Sequence, residues 1–254
     1  MDLGLKGRVI LITGASSGIG QATAEAFGGE GAYVMVTYRT NAGKAEQIVQ
    51  TIREAGGDGA TAHLDLAEPE SIKETIRYTL ERWNRIDVLV NNAVDWIPEA
   101  GYVGPIEKAP LEEWQGLIRS NLEGTLAAIH GAIPIMREKR WGRIANLSSV
   151  AAVDGMPGYA WYAAAKAAIH GLTRTLAKEL GPSGILVNTL MPGATLTDRI
   201  QASFPERKLE AMAAALPIRR IPAPKDVASV VLFLCSAKNG AITGEIVRAS
   251  GGRL

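Results

Sequence analysis

A tyrosine and a lysine four residues apart, Tyr162 and Lys166, fall in a stretch whose pattern predicts a helix from about Tyr159 to Leu180. Side chains at that spacing share one helix face. An ammonium beside a phenol favours the phenolate, so the Tyr162 pKa is expected to fall from its ordinary value of about 10 toward neutrality. A tyrosine tuned in this way can exchange a proton with a substrate oxygen. Ser148 and Ser149 end the strand predicted before this helix, where a hydroxyl could hold a carbonyl oxygen beside the phenol. A tyrosine and a lysine that merely meet on the surface are the competing explanation. The position of the serines is what favours chemistry.

A second group, Thr13-Gly14-Ala15-Ser16-Ser17-Gly18-Ile19-Gly20, runs from the first predicted strand into the first helix. Glycine allows a tight turn and close backbone approach, and the helix N-terminus offers free N–H groups and a partial positive charge to a pyrophosphate. Ser16 and Ser17 add hydroxyl donors. The spacing G-x-x-x-G-x-G departs from the usual dinucleotide G-x-G-x-x-G, and the turn lacks the Lys-Ser/Thr ending of a triphosphate loop, which disfavours ATP or GTP hydrolysis. A turn used only for packing is the alternative.

After the second strand, a dinucleotide site presents an acid to the ribose of NAD, or a base to a 2′-phosphate. Tyr38-Arg39-Thr40 stands there. With no acid and with Arg39 able to make charge-assisted bonds to phosphate, NADP(H) is expected, with NAD(H) as the alternative. A solvated surface arginine is the bland explanation. Asp65, just past the third strand, could accept from an adenine amino group or cap the helix that starts near Pro69; both readings stand. His63, His130 and His170 follow no paired ligand spacing, so no metal is expected.

Such groups need a frame. Short β-branched runs alternate with helical patterns: strand Val9–Thr13, helix from about Ile19 to Glu30, strand Tyr33–Thr37, helix near Lys44–Ala55, strand Thr61–Leu64 and helix from Pro69 to about Trp83. Then come strand Ile86–Val90, a loop over 91–110, a helix from about Leu111 to Arg137, strand Gly142–Leu147 and the helix of Tyr162. Strand Leu186–Leu190, a helix over Lys225–Ser236 and a strand near Glu245–Arg248 complete the series. Strands without strict alternation are buried on both faces, and helical crossovers join parallel neighbours. A doubly wound parallel α/β sheet follows, with ligands outside the carboxyl ends of its strands.

The 254 residues suit one domain, 1–254. Lys and Arg number 27 against 26 Asp and Glu, a net charge of +1, so no nucleic-acid partner is implied. The single cysteine, Cys235, excludes an internal disulfide and fits a reducing cytoplasm. No export signal is read at the N-terminus. The most apolar stretch, 227–237, is about half the roughly 20 residues of a membrane span.

Taken in order, these motifs resemble the short-chain dehydrogenase/reductase family over essentially the whole chain. The cofactor turn 13–20, Asn91-Asn92-Ala93, Ser120-Asn121-Leu122, Ser149 thirteen positions before the tyrosine, Tyr162-Ala-Ala-Ala-Lys166 and Pro192-Gly193-Ala194-Thr195-Leu196-Thr197 carry the likeness. The resemblance implies a single-domain Rossmann fold with a seven-stranded parallel sheet and helices on both faces. It implies Tyr162 as general acid in carbonyl reduction, Lys166 lowering its pKa and holding the nicotinamide ribose, Ser149 positioning the carbonyl, and Asn121 supporting a water relay. Asn91 would meet the cofactor ribose, Asp65 and Leu66 adenine, and Thr195 and Thr197 the carboxamide, with Ala93, Pro192 and Gly193 among the other cofactor contacts. A homotetramer is implied as well.

Two departures stand out. Val94 replaces the family's usual glycine, and Ala249-Ser250 stands where an aspartate is common, far along the chain from the chemistry. Val94, Asp95, Trp96, Ala151, Val153, Met156, Met191 and Phe204 are expected to line the substrate surface; being mainly apolar, they suit a bulky or hydrophobic carbonyl or alcohol. Residues 194–217 suit a lid, with a static surface helix as the equal alternative. An NADPH-dependent ketoreductase similar to the 3-oxoacyl-carrier-protein reductases leads. An oxidative alcohol or sugar dehydrogenase comes second, and a non-catalytic nucleotide-binding regulator third.

Overall fold

The computed structural model describes residues 2–96 and 102–252; part of the loop expected over 91–110 therefore lies outside the described residues. Seven strands, β1 (Val9–Ile12), β2 (Tyr33–Tyr38), β3 (Asp58–His63), β4 (Val88–Asn91), β5 (Gly142–Leu147), β6 (Ile185–Pro192) and β7 (Ile246–Ala249), form one sheet. Its order is β3-β2-β1-β4-β5-β6-β7, and every neighbouring pair is parallel.

Strand side chains alternate between two apolar layers, which is why the strands read as unbroken apolar runs. Ile10, Ile12, Val34, Val36, Val88 and Val90 face one layer. There they meet Phe27 of α1 (Gly18–Gly29), Ile48 and Ile52 of α2 (Ala42–Glu54), and Val227 and Val231 of α10 (Pro224–Cys235). Leu11, Met35, Leu89, Ile144 and Val187 face the other. Their partners are Ile72 and Ile76 of α3 (Pro69–Trp83), Ile129 and Met136 of α5 (Gly124–Lys139), and Leu176 and Leu180 of α7 (Ala160–Leu180). Pro69 opens α3 as expected of a residue whose missing N–H costs nothing there. Among the described residues no helix is long and apolar enough to cross a membrane.

The order reverses between β1 and β4, so the chain winds outward in both directions from that pair. A crevice opens there at the carboxyl ends, and the ends of β1, β2, β4, β5 and β6 surround it.

The helix expected from Leu111 to Arg137 is broken. It forms α4 (Leu111–Ile118), a π turn over Arg119–Glu123, and α5. The Gly124 amide donates to the Arg119 carbonyl five residues back. Two tertiary contacts account for the widened turn: the Asn121 side chain is drawn to the loop after β4, and Gly124 lies so close to Leu66 that a Cβ would sit 2.4 Å from the Leu66 carbonyl oxygen. A four-residue helix, α6 (Ala151–Asp154), follows β5. The region read as lid or surface helix holds two short helices, α8 (Asp198–Ser203) and α9 (Glu206–Ala215), neither with a buried residue.

Candidate active site

The glycine turn lies at the bottom of the crevice. Gly14 has φ 64°, and its amide donates to the Thr37 hydroxyl at 2.9 Å. A Cβ on Gly14 would lie 2.8 Å from the Ala93 Cα, and one on Gly20 only 2.2 Å from the Gly14 carbonyl oxygen. No other residue lets the turn close this tightly. Ser17 stands at the N-cap of α1 but makes no side-chain cap, and no acid occupies the first turn. The first amides of α1 are thus not spent on a side-chain cap, the arrangement that receives a phosphate.

Asn92 fastens this turn to β4. Its Nδ2 donates to the carbonyls of Thr13 at 3.0 Å and Gly14 at 2.9 Å, and the Thr13 hydroxyl accepts from the amides of Asn92 and Ala93. Of the two asparagines in this stretch, the motif likeness placed Asn91 at the ribose and gave Asn92 no role of its own. The first, Asn91, points the other way: its Nδ2 donates to Asn146 Oδ1 at 2.8 Å. Asn146 in turn donates to Thr173, which shares a 2.7 Å hydrogen bond with Thr189. Asn91 Oδ1 is buried with no hydrogen-bond partner among the described residues, and an orphaned acceptor there fits a ribose hydroxyl.

Tyr162, Lys166 and His170 form one face of α7, and all three are buried. Ser149, two residues past β5, lies by the phenol, and its hydroxyl accepts from the Ala151 amide at 3.2 Å. The expected acid shift is reversed: burial pushes the Tyr162 phenol up to about 12, against weaker opposite pulls from Ser149 and from Arg199 on α8. The reason is geometric. Lys166 Nζ donates to the Leu147 carbonyl at 2.9 Å, and burial lowers its own pKa to about 8. The ammonium is spent on that carbonyl and adds no resolved pull on the phenol, whose desolvation decides the direction. Ser148 faces away from Tyr162, its hydroxyl 3.0 Å from the Lys166 carbonyl and 2.8 Å from His170 Nε2. His170 is thereby fixed as a buried partner of Ser148, and burial lowers its pKa.

Trp96 stands edge-on to Tyr162, ring centroids 4.6 Å apart at 72°, and also touches Tyr159. Ala151, Met156 and Trp161 join the same apolar cluster. The other residues expected to line the substrate surface divide: Val94 and Val153 are exposed, Met191 is buried, and Phe204 lies under the Lys208 ammonium.

Asn121 sits in the π turn with both ends of its carboxamide engaged. Oδ1 accepts from the Asp95 amide at 2.9 Å and Nδ2 donates to the Asp95 carbonyl at 2.8 Å. Its backbone carbonyl accepts from the Thr125 hydroxyl and keeps a second lone pair free for a water.

Arg39, at the end of β2, is paired with Asp95 across the crevice. Asp65 does not cap α3, whose N-cap is Glu68; its Oδ1 accepts from the Ala67 amide within the loop. Leu66 is buried against α5. Pro192 ends β6, and Gly193 follows against Ser250, so the Ala249-Ser250 departure, remote along the chain, adjoins this segment in space. Thr195 is buried with its hydroxyl donating to the Gly193 carbonyl. The Thr197 hydroxyl caps α8 by accepting from Ile200, and its methyl stands over Gly18. The free cap, the orphaned Asn91 acceptor and the glycine cradle together fit a nicotinamide dinucleotide.

A family model described as enoyl-(acyl carrier protein) reductase matches residues 14–253. The 3-oxoacyl-[acyl-carrier-protein] reductase of Synechocystis sp. is 36% identical over 251 residues, covering 98% of this chain and 97% of that protein. The enzyme of that name from Staphylococcus aureus is 37% identical over 242 residues, 95% of this chain and 96% of its own. A solved 7α-hydroxysteroid dehydrogenase complexed with NADH and 7-oxo glycochenodeoxycholic acid superposes with a TM-score of 0.92 at 31% identity, covering 100% of this chain and 96% of that one.

Proposed function

The chain belongs to the short-chain dehydrogenase/reductase family, and on that premise we propose that it is a ketoreductase preferring NADP(H), with Tyr162 giving the proton to the substrate oxygen. The nicotinamide supplies the hydride when bound. The observation that carries the reading is the buried Tyr162 phenol, set beside Ser149 and holding its proton up to about 12. A phenol that stays protonated at neutral pH is a ready donor for reduction; oxidation would need it ionised first.

Ser149 holds the carbonyl oxygen beside Tyr162, where negative charge develops as the bond is reduced. Lys166 keeps an ammonium one helical turn below, to stabilise the tyrosinate left after proton transfer. The turn 14–20 and the α1 N-terminus hold the pyrophosphate, and Asn91, Ala93 and Lys166 the nicotinamide ribose. Asp65 and Leu66 meet adenine, and Pro192, Gly193, Thr195 and Thr197 the carboxamide. Arg39 meets a 2′-phosphate. NAD(H) use is the second reading, favoured by one observation: Arg39 already has an anionic partner in Asp95.

Trp96, Met156 and Tyr159 make the wall beside the phenol apolar, which supports a bulky hydrophobic carbonyl such as a 3-oxoacyl thioester. Residues 194–217 act as the lid, Thr197 bringing α8 over the glycine turn. We also place the protein in the cytoplasm as a homotetramer. Exposed Leu111 and Leu126 on α4 and α5 support subunit contact there, and sedimentation would read it.

Initial rates of NADPH and NADH oxidation over acyl thioesters, sugars, steroids and aromatic ketones test the reading. NADPH is expected to be faster, with an apolar carbonyl class responding. Faster turnover with NADH, or with sugars, would overturn it.

A further inference from the structure

The one cation on which the NADP(H) reading rests is not idle. Arg39 Nη1 lies 3.3 Å from Asp95 Oδ1, in a pair formed across 56 residues of sequence. Arg39 follows β2 and Asp95 follows β4, and β1 lies between those strands. The pair therefore bridges the mouth of the crevice above the glycine turn. Lys44, the next cation along the connection into α2, is similarly taken, 3.5 Å from Asp198 at the start of α8.

The two partners in the bridge are held very differently. The Asp95 backbone is clamped at both its amide and its carbonyl by the buried Asn121 carboxamide, and the Ser120 hydroxyl reaches its Oδ2 at 3.5 Å. Asp95 is thus tied to the π turn and cannot follow a moving partner. Arg39 makes one contact to it, through a single nitrogen, and its side chain is half exposed. A guanidinium on a flexible stem can turn to a new anion, and a phosphate offers a better one, with roughly two negative charges and a geometry that matches the guanidinium fork. Turning would leave the Asp95 carboxylate behind, unpaired and close to the incoming charge.

We propose that Asp95 is a cofactor-selectivity residue, competing with a 2′-phosphate for Arg39 and so narrowing the preference of this chain for NADP(H) over NAD(H). The inference rests on the reading of Arg39 as the 2′-phosphate ligand. Exposed ion pairs are weak, so Asp95 tunes the preference and does not abolish it.

The test is equilibrium binding, by calorimetry on the whole folded protein, with 2′,5′-ADP and ADP as probes that differ only in where one phosphate sits. Asp95→Asn keeps the shape of the side chain and its backbone clamp; Asp95→Ser repeats the loss of charge without a carboxamide. Both are expected to tighten 2′,5′-ADP by about two- to fivefold, to move ADP less, and to lose their effect when Arg39 is replaced by Gln. Unchanged or weaker 2′,5′-ADP binding in both variants, or an equal gain for ADP, overturns the proposal. If Arg39→Gln alone leaves 2′,5′-ADP binding unchanged, the Arg39 reading itself falls; if Arg39→Gln weakens it while the Asp95 variants do nothing, only the role of Asp95 falls.

Discussion

Replacing Lys166 by Met should make the protein more stable while removing its chemistry. Lys166 is 4% exposed, and its ammonium donates to one carbonyl, that of Leu147. Burial lowers its pKa from 10.5 to about 8. At about 1.4 kcal/mol per pH unit, folding with this lysine charged costs about 3 kcal/mol relative to folding with it neutral. The sign follows from proton counts. Between about 8 and 10.5 the unfolded chain holds a proton that the folded chain has lost, so stability rises with pH across that window. Below about 8 the penalty is fully present. Methionine keeps an unbranched stem of similar reach without the charge, but it leaves the Leu147 carbonyl without that donor, at about 1 kcal/mol. The variant should therefore gain about 2 kcal/mol at neutral pH, an advantage that fades to about zero near pH 9.5. Urea unfolding of both proteins followed by circular dichroism, without added dinucleotide, at the two pH values reads this directly. A variant less stable at neutral pH, or an advantage indifferent to pH, would refute the assignment of Lys166 as a strained buried cation.

Tyr162→Phe should lower kcat by about 10²- to 10⁴-fold while dinucleotide affinity, measured calorimetrically, stays within about twofold. The kcat/KM profile for carbonyl reduction should fall on an alkaline limb near 8, where Lys166 loses its proton, because Tyr162 holds its own to about 12. Lys166→Arg should shift that limb upward, since a guanidinium stays charged throughout the range; a limb fixed near 8 would assign it to another group. Asn92→Ala removes two hydrogen bonds to the glycine turn and should cost about 1–3 kcal/mol of stability, together with weaker dinucleotide binding. Wild-type affinity in a variant so destabilised would mean that the turn does not depend on this fastening.

The fold was legible because each level of the chain agrees with the next. Buried strands such as Val9–Ile12 carry apolar residues for both layers, and Pro69 marks a helix start that geometry requires. The Tyr162 and Lys166 face was legible from helical spacing alone. The π turn was not, because one widened turn hardly disturbs the apolar periodicity of 111–137, and its causes lie at Asp95 and Leu66, far away in sequence. The direction of the Tyr162 shift was hidden for the same reason: spacing reveals a neighbouring charge but not the burial of the phenol or the Leu147 carbonyl that holds the ammonium. Local sequence placed Arg39 just after the second strand, but its partner, Asp95, emerges only once β1 and β4 are side by side. Of the two readings local spacing left open for Asp65, the cap of α3 falls to Glu68, and the Asp65 Oδ1 instead accepts from Ala67 within the loop.

The most direct test of hydride and proton transfer at Tyr162 follows the label. The protein is given NADPH carrying deuterium at the transferable position of the nicotinamide, together with a ketone that it reduces, and the product is read by mass spectrometry. Deuterium should appear on the carbinol carbon with the wild-type chain, and its appearance should slow by about 10²-fold or more with Tyr162→Phe. An alcohol free of label, or label arriving equally fast without the phenol, would contradict the assignment.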